Sequence, residues 1–252
     1  MTELSAKTSS ASERHPAVLC AARFCLDKRD IHIWCCSRNR IASSDEFKRR
    51  VLSHYAGHEP GAWQFGLGDQ GKPHLLDTSL ALDFNVSHSG DWLVCAVTAG
   101  TPVGVDVEEC KPTRDVMTLA RRFFREEEVA AMAACGDGAQ CDLFYDLWTL
   151  KEAAVKARGS VLVSGLDSRG FALASSPAAV SPRGSIALTT PEDAAVAHYC
   201  LLELQPGYRV ALCWLPGAPL RPRLQAFELC DQGVTRTLQL PLRASTWVDE
   251  SA

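Results

Sequence analysis

The stretch that most constrains the fold is residues 142–158, DLFYDLWTLKEAAVKAR, the clearest helical pattern in the chain. Leu143, Leu147, Leu150 and Ala154 recur at i, i+4, i+7 and i+11, which lines one side of an α-helix with apolar surface and requires a core to receive it. Trp148, Glu152 and Lys156 fall four residues apart on a second stripe. Taken alone, Glu152 and Lys156 are an ordinary i, i+4 pair in the favourable orientation, worth about 0.2–0.5 kcal/mol. The large aromatic one turn earlier argues that this stripe is covered too, so its ions need partners beyond each other.

The rest of the chain supplies sheets for such a helix. IHIWCC (31–36) reads as a buried strand, Ser43-Ser44-Asp45 opens a helix running to about Tyr55, and Gly57 and Pro60 follow it. AWQFGL, LDFNVSH, WLVCAVT and VGVDVE are short β-rich segments separated by Gly, Pro and Asp. Helical stretches are expected over 116–124 and 126–134, then a glycine-rich turn, CGDGAQ, before the main helix. RGFALAS, GSIALTT, VAHYCLLEL, YRVALCWL and LQAFELC read as further strands. Helix, sheet, helices, sheet is an α+β order with two similar halves, each a helix plus a small sheet. A faint echo of WLVCAVTAGTP in YRVALCWLPGAP fits duplication. The expected division is a tail over 1–14, halves over 15–112 and 113–240, and a second tail over 241–252.

Composition removes several classes. With 46% hydrophobic and 22% charged residues among 252, the chain has enough apolar material for one large or two small domains, which excludes disordered, collagen-like and coiled-coil chains. Lys and Arg total 26 against 30 acids, and the net charge of -4 provides no broad positive field for nucleic acid. No apolar run approaches the ~20 residues of a membrane span, and MTELSAKTSSASERHP lacks a secretory core or transit pattern, so a soluble cytoplasmic protein is expected. The eleven cysteines are odd in number and mostly sit in apolar runs, as reduced core residues do. His54 and His58 flank a helix-ending glycine and make a poor zinc pair.

Chemistry concentrates in four places. On VGVDVEE the strand period of two puts Asp106 and Glu108 on one face and Val103, Val105 and Val107 on the other. The acids are either plain surface solvation or a site for a hard cation such as magnesium or calcium, since neighbouring like charges repel unless something cationic lies between them. Glu152 is a candidate third carboxylate. FNVSHSGDW (84–92) carries Ser87, His88, Ser89 and Gly90 at a turn; they are equally suited to a structural turn and to phosphate oxygens. Lys72 and Pro73 lie in Gln70-Gly71-Lys72-Pro73, a turn whose lysine serves as a solvated loop charge or an anion contact. Arg121-Arg122-Phe123-Phe124-Arg125 reads as a helix end with its phenylalanines inside.

Five motifs, GKP (71–73), FNVSHSGDW (84–92), GVDVE (104–108), RRFF (121–124) and LWTLKEAAVKARG (147–159), stand in the order and spacing of the 4′-phosphopantetheinyl transferases of the larger, surfactin-synthetase type. The family signature, G-[IV]-D followed at a distance by W-x-x-K-E-x-x-x-K, is present in full, with Asp106 preceding Glu152 by 46 positions. The resemblance is close over about residues 60–170.

It implies a pseudo-dimeric α/β fold with coenzyme A in the cleft between two halves, acting as a monomer. The reaction implied moves 4′-phosphopantetheine from coenzyme A to a serine of an acyl, peptidyl or aryl carrier protein and releases adenosine 3′,5′-bisphosphate. By similarity Asp106, Glu108 and Glu152 coordinate Mg2+, Lys156 lies by the bridging or α-phosphate with Lys151 nearby, and Lys72, Pro73, Ser87 and His88 hold the coenzyme. Glu152, Lys156 and Asp106 are the candidate catalytic residues. The family's long arginine-rich segment in the first half is shortened here, leaving Arg40, Lys48, Arg49 and Arg50 as candidates for the adenosine side. That departure admits a second reading, a carrier-protein-binding module with impaired coenzyme binding; a third is a metal-dependent phosphodiesterase. Arg121, Arg122 and Arg125 are candidates for meeting an acidic carrier helix.

Overall fold

The computed structural model describes residues 24–160, 166–174, 184–190, 197–216, 221–230 and 235–247; the expected tail over 1–14 lies outside them. β1 (Asp30–Ser37) runs into α1 (Ser44–Ala56) through a short 3-10 turn. Ser43 caps α1 by accepting the Glu46 N–H at 3.1 Å, Glu46 in turn accepts the Ala42 N–H at 3.0 Å, and Gly57 ends the helix at φ 65°. β2 (Phe65–Leu67) and β3 (Pro73–Leu75) form a separate ribbon, followed by a hairpin of β4 (Asp83–Ser89) and β5 (Trp92–Thr98), and by β6 (Val103–Glu109). Then come α2 (Val116–Phe123), α3 (Glu126–Ala133) and α4 (Asp137–Arg158). β7 (Phe171–Ala174), β8 (Gly184–Leu188), β9 (His198–Gln205), β10 (Tyr208–Trp214), β11 (Arg223–Leu229), β12 (Thr235–Leu238) and β13 (Leu242–Ser245) complete the order.

One sheet is ordered β12-β11-β1-β5-β4 and another β6-β10-β9-β13-β8-β7. The connectivity repeats: strand, helix, then an antiparallel hairpin whose second strand pairs with the first, once as β1, α1, β4-β5 and once as β6, α4, β9-β10. The two echoing sequence segments begin on β5 and β10, which hold corresponding places. Sheet membership does not follow the division at residue 112, because β6 belongs with β10 and β11 lies parallel to β1.

Alternation along each strand produces layers. Ile31, Ile33, Cys35, Val94 and Ala96 of the first sheet meet Val103, Val105, Val107, Val210 and Leu212 of the second in one core. Trp34, Cys36, Phe84, Cys95 and Val97 face the other way onto Phe47, Val51 and Leu52 of α1. The outer face of the second sheet receives α2, α3 and α4. The arrangement is helix, sheet, sheet, helices, an α+β fold.

Three expectations change. The turn expected over CGDGAQ is confined to its first two residues: Gly136 caps α4, which begins at Asp137. A glycine costs a helix only about 1 kcal/mol, and a long packed helix propagates back through it. β3 starts at Pro73, within the GKP turn. Residues 241–252 are not all tail, since β13 pairs with β9 and β8 and buries Ala244 and Ser245. Strands this short carry too few alternations to stand out in sequence.

Candidate active site

The alternation of β6 does what its sequence implies: Val103, Val105 and Val107 enter the inter-sheet core, while Gly104, Asp106 and Glu108 face α4. Gly104 sets how close the helix comes. A Cβ there would lie against the Ala153 carbonyl oxygen and the Ala157 amide nitrogen, and 2.9 Å from the Ala157 Cα, so the absence of a side chain lets helix backbone rest on strand backbone. On the helix, Leu147, Leu150 and Ala154 are buried and Leu143 is partly so. Trp148 packs against Phe123, Phe124 and Phe144, and its stripe delivers Glu152 and Lys156 to Asp106.

The cluster is built around the Lys156 ammonium. Its Nζ donates to Asp106 Oδ1 at 2.6 Å and to Ser87 Oγ at 2.9 Å, and stands 3.6 Å from Glu152 Oε2. Ser87 donates to the same Asp106 oxygen at 2.8 Å, and Ser89 donates to Glu108 Oε2 at 3.0 Å. One lysine does not balance three acids. Burial, then the charge of Asp106, raises the Glu152 carboxyl to about 7 against the partial relief of Lys156, and the same two causes raise Glu108. Burial pulls Lys156 down, but the charges of Asp106 and Glu152 outweigh it and keep the ammonium protonated. Beside Glu108 opens a cavity of about 470 Å³ lined by Ser89, Glu108, Glu109, Lys111, Thr113 and Arg114.

Among the described residues no three His, Cys, Asp or Glu side chains stand as a ready-formed ligand shell. The donor chemistry still fits a hard divalent cation. Asp106 Oδ2 is buried without a hydrogen-bond partner, and two neighbouring carboxyls are held toward their neutral forms by burial and, after it, by unbalanced negative charge. A cation would satisfy the first and reverse the second.

The structure brings together Asp106, Glu108, Glu152, Lys156 and Ser87, and keeps other candidates apart. Lys151, one position from Glu152, points the opposite way into the core: it pairs with Glu128 at 2.8 Å and donates to the Leu166 and Arg169 carbonyls. It is fully buried and touches no open surface, so the expected phosphate contact from Lys151 is corrected to a structural role. Lys72 is likewise committed, to Asp83 at 2.8 Å and the Val103 carbonyl at 3.0 Å. Pro73 begins β3. His88 is exposed, on the strand face opposite Ser87, so these neighbours cannot grip one group together. Lys48 and Arg49 are tied to Asp45, and Arg50 to Glu46; Arg40 is exposed. Arg121 and Arg122 are exposed, whereas Arg125 pairs with Glu127. Sequence reasoning passed over Lys111 and Arg114, although KPTR follows the acidic strand after a single residue, Cys110.

The family model of the 4′-phosphopantetheinyl transferase superfamily matches residues 102–213, from the start of β6 to β10. The chain is 31% identical over 175 residues to the 4′-phosphopantetheinyl transferase Sfp of Bacillus subtilis, covering 69% of this chain and 73% of that protein. The chain belongs to the 4′-phosphopantetheinyl transferase superfamily. It is also 34% identical over 165 residues to the transferase HetI of Nostoc, which covers 64% of this chain and 69% of HetI. AcpT of Escherichia coli matches at 37% over 111 residues, 44% of this chain and 55% of AcpT. As a phosphopantetheinyl transferase of Sfp type the chain is an enzyme, and its matched segment holds every acid of the cluster together with Lys156 and Gly104. No helix among the described residues is long and apolar enough to cross a membrane.

Proposed function

We propose that this transferase moves 4′-phosphopantetheine from coenzyme A to a serine of an apo acyl, peptidyl or aryl carrier protein and releases adenosine 3′,5′-bisphosphate, in the cytoplasm and as a monomer. The observation that carries the reading is the Asp106–Lys156–Glu152 cluster, with an orphaned carboxylate oxygen on Asp106 and an open polar cavity beside neighbouring Glu108. The repeated strand-helix-hairpin connectivity supports two related halves with the coenzyme between them.

Asp106, Glu108 and Glu152 would hold Mg2+, which when bound supplies positive charge to the oxygens of the diphosphate. Lys156, kept protonated by its acidic neighbours, stabilises charge on the departing phosphate. The serine oxygen forms a bond to the β-phosphorus as the bond from that phosphorus to the bridging oxygen breaks. The hydroxyl proton passes to the Glu152 carboxylate, the candidate general base of the cluster. Ser87 orients Asp106 and Lys156 at once.

A second reading, a carrier-binding module with a weak hold on coenzyme A, draws on the internal commitments of Lys72, Lys151, Lys48, Arg49 and Arg50. Incubation with coenzyme A, Mg2+ and a panel of apo carrier proteins, read by mass spectrometry of the carriers, separates the two. A phosphopantetheine mass gain supports transfer, and no gain on any carrier supports the module. Release of adenosine 3′,5′-bisphosphate without a carrier would instead indicate phosphodiesterase chemistry. Asp106→Ala and Glu152→Ala should each abolish transfer; activity within twofold of the parent would remove their assigned roles.

A further inference from the structure

β6 is an edge strand of its sheet. On one side its backbone pairs with β10, Asp106 opposite Ala211 and Glu108 opposite Arg209. On the other side the N–H groups of Val103, Val105, Val107 and Glu109 point toward β4, where no backbone ladder receives them. Four side chains do. Asp83 Oδ2 accepts the Val103 N–H at 2.7 Å, Asn85 Oδ1 that of Val105 at 3.0 Å, Ser87 Oγ that of Val107 at 3.4 Å, and Ser89 Oγ that of Glu109 at 3.1 Å. Each acceptor lies 20 positions before its donor. The period of two on each strand therefore meshes as a ladder in which every rung joins a β4 side chain to a β6 backbone N–H.

Such a ladder fixes the sliding position of the acid-bearing strand. A buried N–H must find an acceptor, and a shift of β6 by one residue would turn all four away. The acceptors change along β4 from Asp and Asn to Ser and Ser, and the shorter ones stand beside the catalytic acids. Ser87 and Ser89 also touch Asp106 and Glu108 directly. Asn85 touches neither acid in the hydrogen bonds of this ladder. It is buried, and it holds the amide of Val105, the residue between Gly104 and Asp106.

We infer that Asn85 is a positioning residue for phosphopantetheinyl transfer, setting through the Val105 amide the register of the strand that presents Asp106 and Glu108. The inference rests on the transfer reading above for its effect on turnover, and on the ladder alone for its effect on the amide. Asn85→Leu keeps the branched side-chain shape and removes the acceptor, whereas Asn85→Asp keeps an acceptor of the same length, the kind Asp83 already provides.

The test combines steady-state transfer kinetics with residue-resolved amide hydrogen exchange. In the parent, Val105 N–H should exchange at least tenfold more slowly than an exposed edge amide, in the absence of coenzyme and metal. Asn85→Leu should speed that exchange at least tenfold and lower kcat at least tenfold, with the KM for coenzyme A changed by less than threefold. Asn85→Asp should keep the Val105 protection and recover most of the lost kcat. Fast exchange of Val105 in the parent overturns the inference, even if Asn85→Leu fails to fold. So does an Asn85→Leu enzyme with kcat within twofold of the parent, or an equal loss of kcat in both variants with Val105 still protected. A parent that transfers nothing would defeat the transfer reading instead, and the amide exchange would still judge the ladder.

Discussion

Gly104→Ala adds one methyl group where strand and helix backbones touch. The new Cβ would meet the carbonyl oxygen of Ala153 and the amide nitrogen of Ala157, with the Ala157 Cα at 2.9 Å. Carbon atoms rest at about 3.5–4.0 Å, and none of these neighbours is a side chain that could rotate aside, so α4 must retreat by about 1 Å. Overpacking of this kind costs about 1–3 kcal/mol, of which the stiffer unfolded chain of alanine offsets at most about 1 kcal/mol. At roughly 2–4 °C per kcal/mol for a chain of this size, Tm should fall by several degrees. The functional loss should be larger. The Lys156 contacts to Asp106 at 2.6 Å and Ser87 at 2.9 Å cross the same interface, and a 1 Å retreat takes both past the ~3.5 Å limit of a useful hydrogen bond. Misplacement on that scale lowers a rate by about 100-fold. Thermal melting and transfer of a fluorescent pantetheine group to a carrier measure the two effects. Gly61→Ala is the control, because a Cβ there meets nothing within 4 Å. If Gly104→Ala melts with the parent and transfers within threefold of it, the account of helix placement is wrong.

Lys156→Ala should lower turnover far more than coenzyme affinity, since the ammonium acts where charge develops; unchanged kcat with a raised KM would contradict that role. Lys151→Met should behave oppositely, destabilising the protein by about 3–5 kcal/mol in urea because buried Glu128 loses its cation. Its KM for coenzyme A should stay within threefold, and a stable variant with a tenfold higher KM would restore Lys151 to the substrate site. His32 is buried with its Nε2 unpaired and its Nδ1 2.9 Å from the Tyr55 hydroxyl, and burial depresses it to about 4 against the pull of Asp30. The unfolded chain then binds the extra proton between pH 6.5 and 4. The stabilisation is complete above pH 6.5 and is lost as pH falls through that window, by about 3 kcal/mol. His32→Gln should abolish that part of the slope; equal urea midpoints across the window in both proteins would refute it.

Local pattern made much of the site readable. The alternation of VGVDVEE separates Asp106 and Glu108 from the valines, and the spacing of Trp148, Glu152 and Lys156 puts them on one helical stripe, because strand and helix periods are properties of neighbouring residues. The caps of α1 at Ser43 and Gly57 are equally local. The lysines were less readable. Their charge is visible in sequence, but what neutralises it is not: Lys72 finds Asp83, and Lys151 finds Glu128, on elements that only folding brings alongside. For that reason one expected phosphate ligand, Lys151, is an internal strut, and another, Lys72, is already paired with a carboxylate.

The chain order by itself determined that a long two-sided helix would carry an acid and a lysine toward a strand with two more acids, since periodicity needs no knowledge of distant partners. The folded arrangement alone decided how near they come. That depends on Gly104 letting two backbones meet, on β4 presenting side-chain acceptors to a strand edge, and on which of several cations remain uncommitted once every buried charge has found its counter-ion.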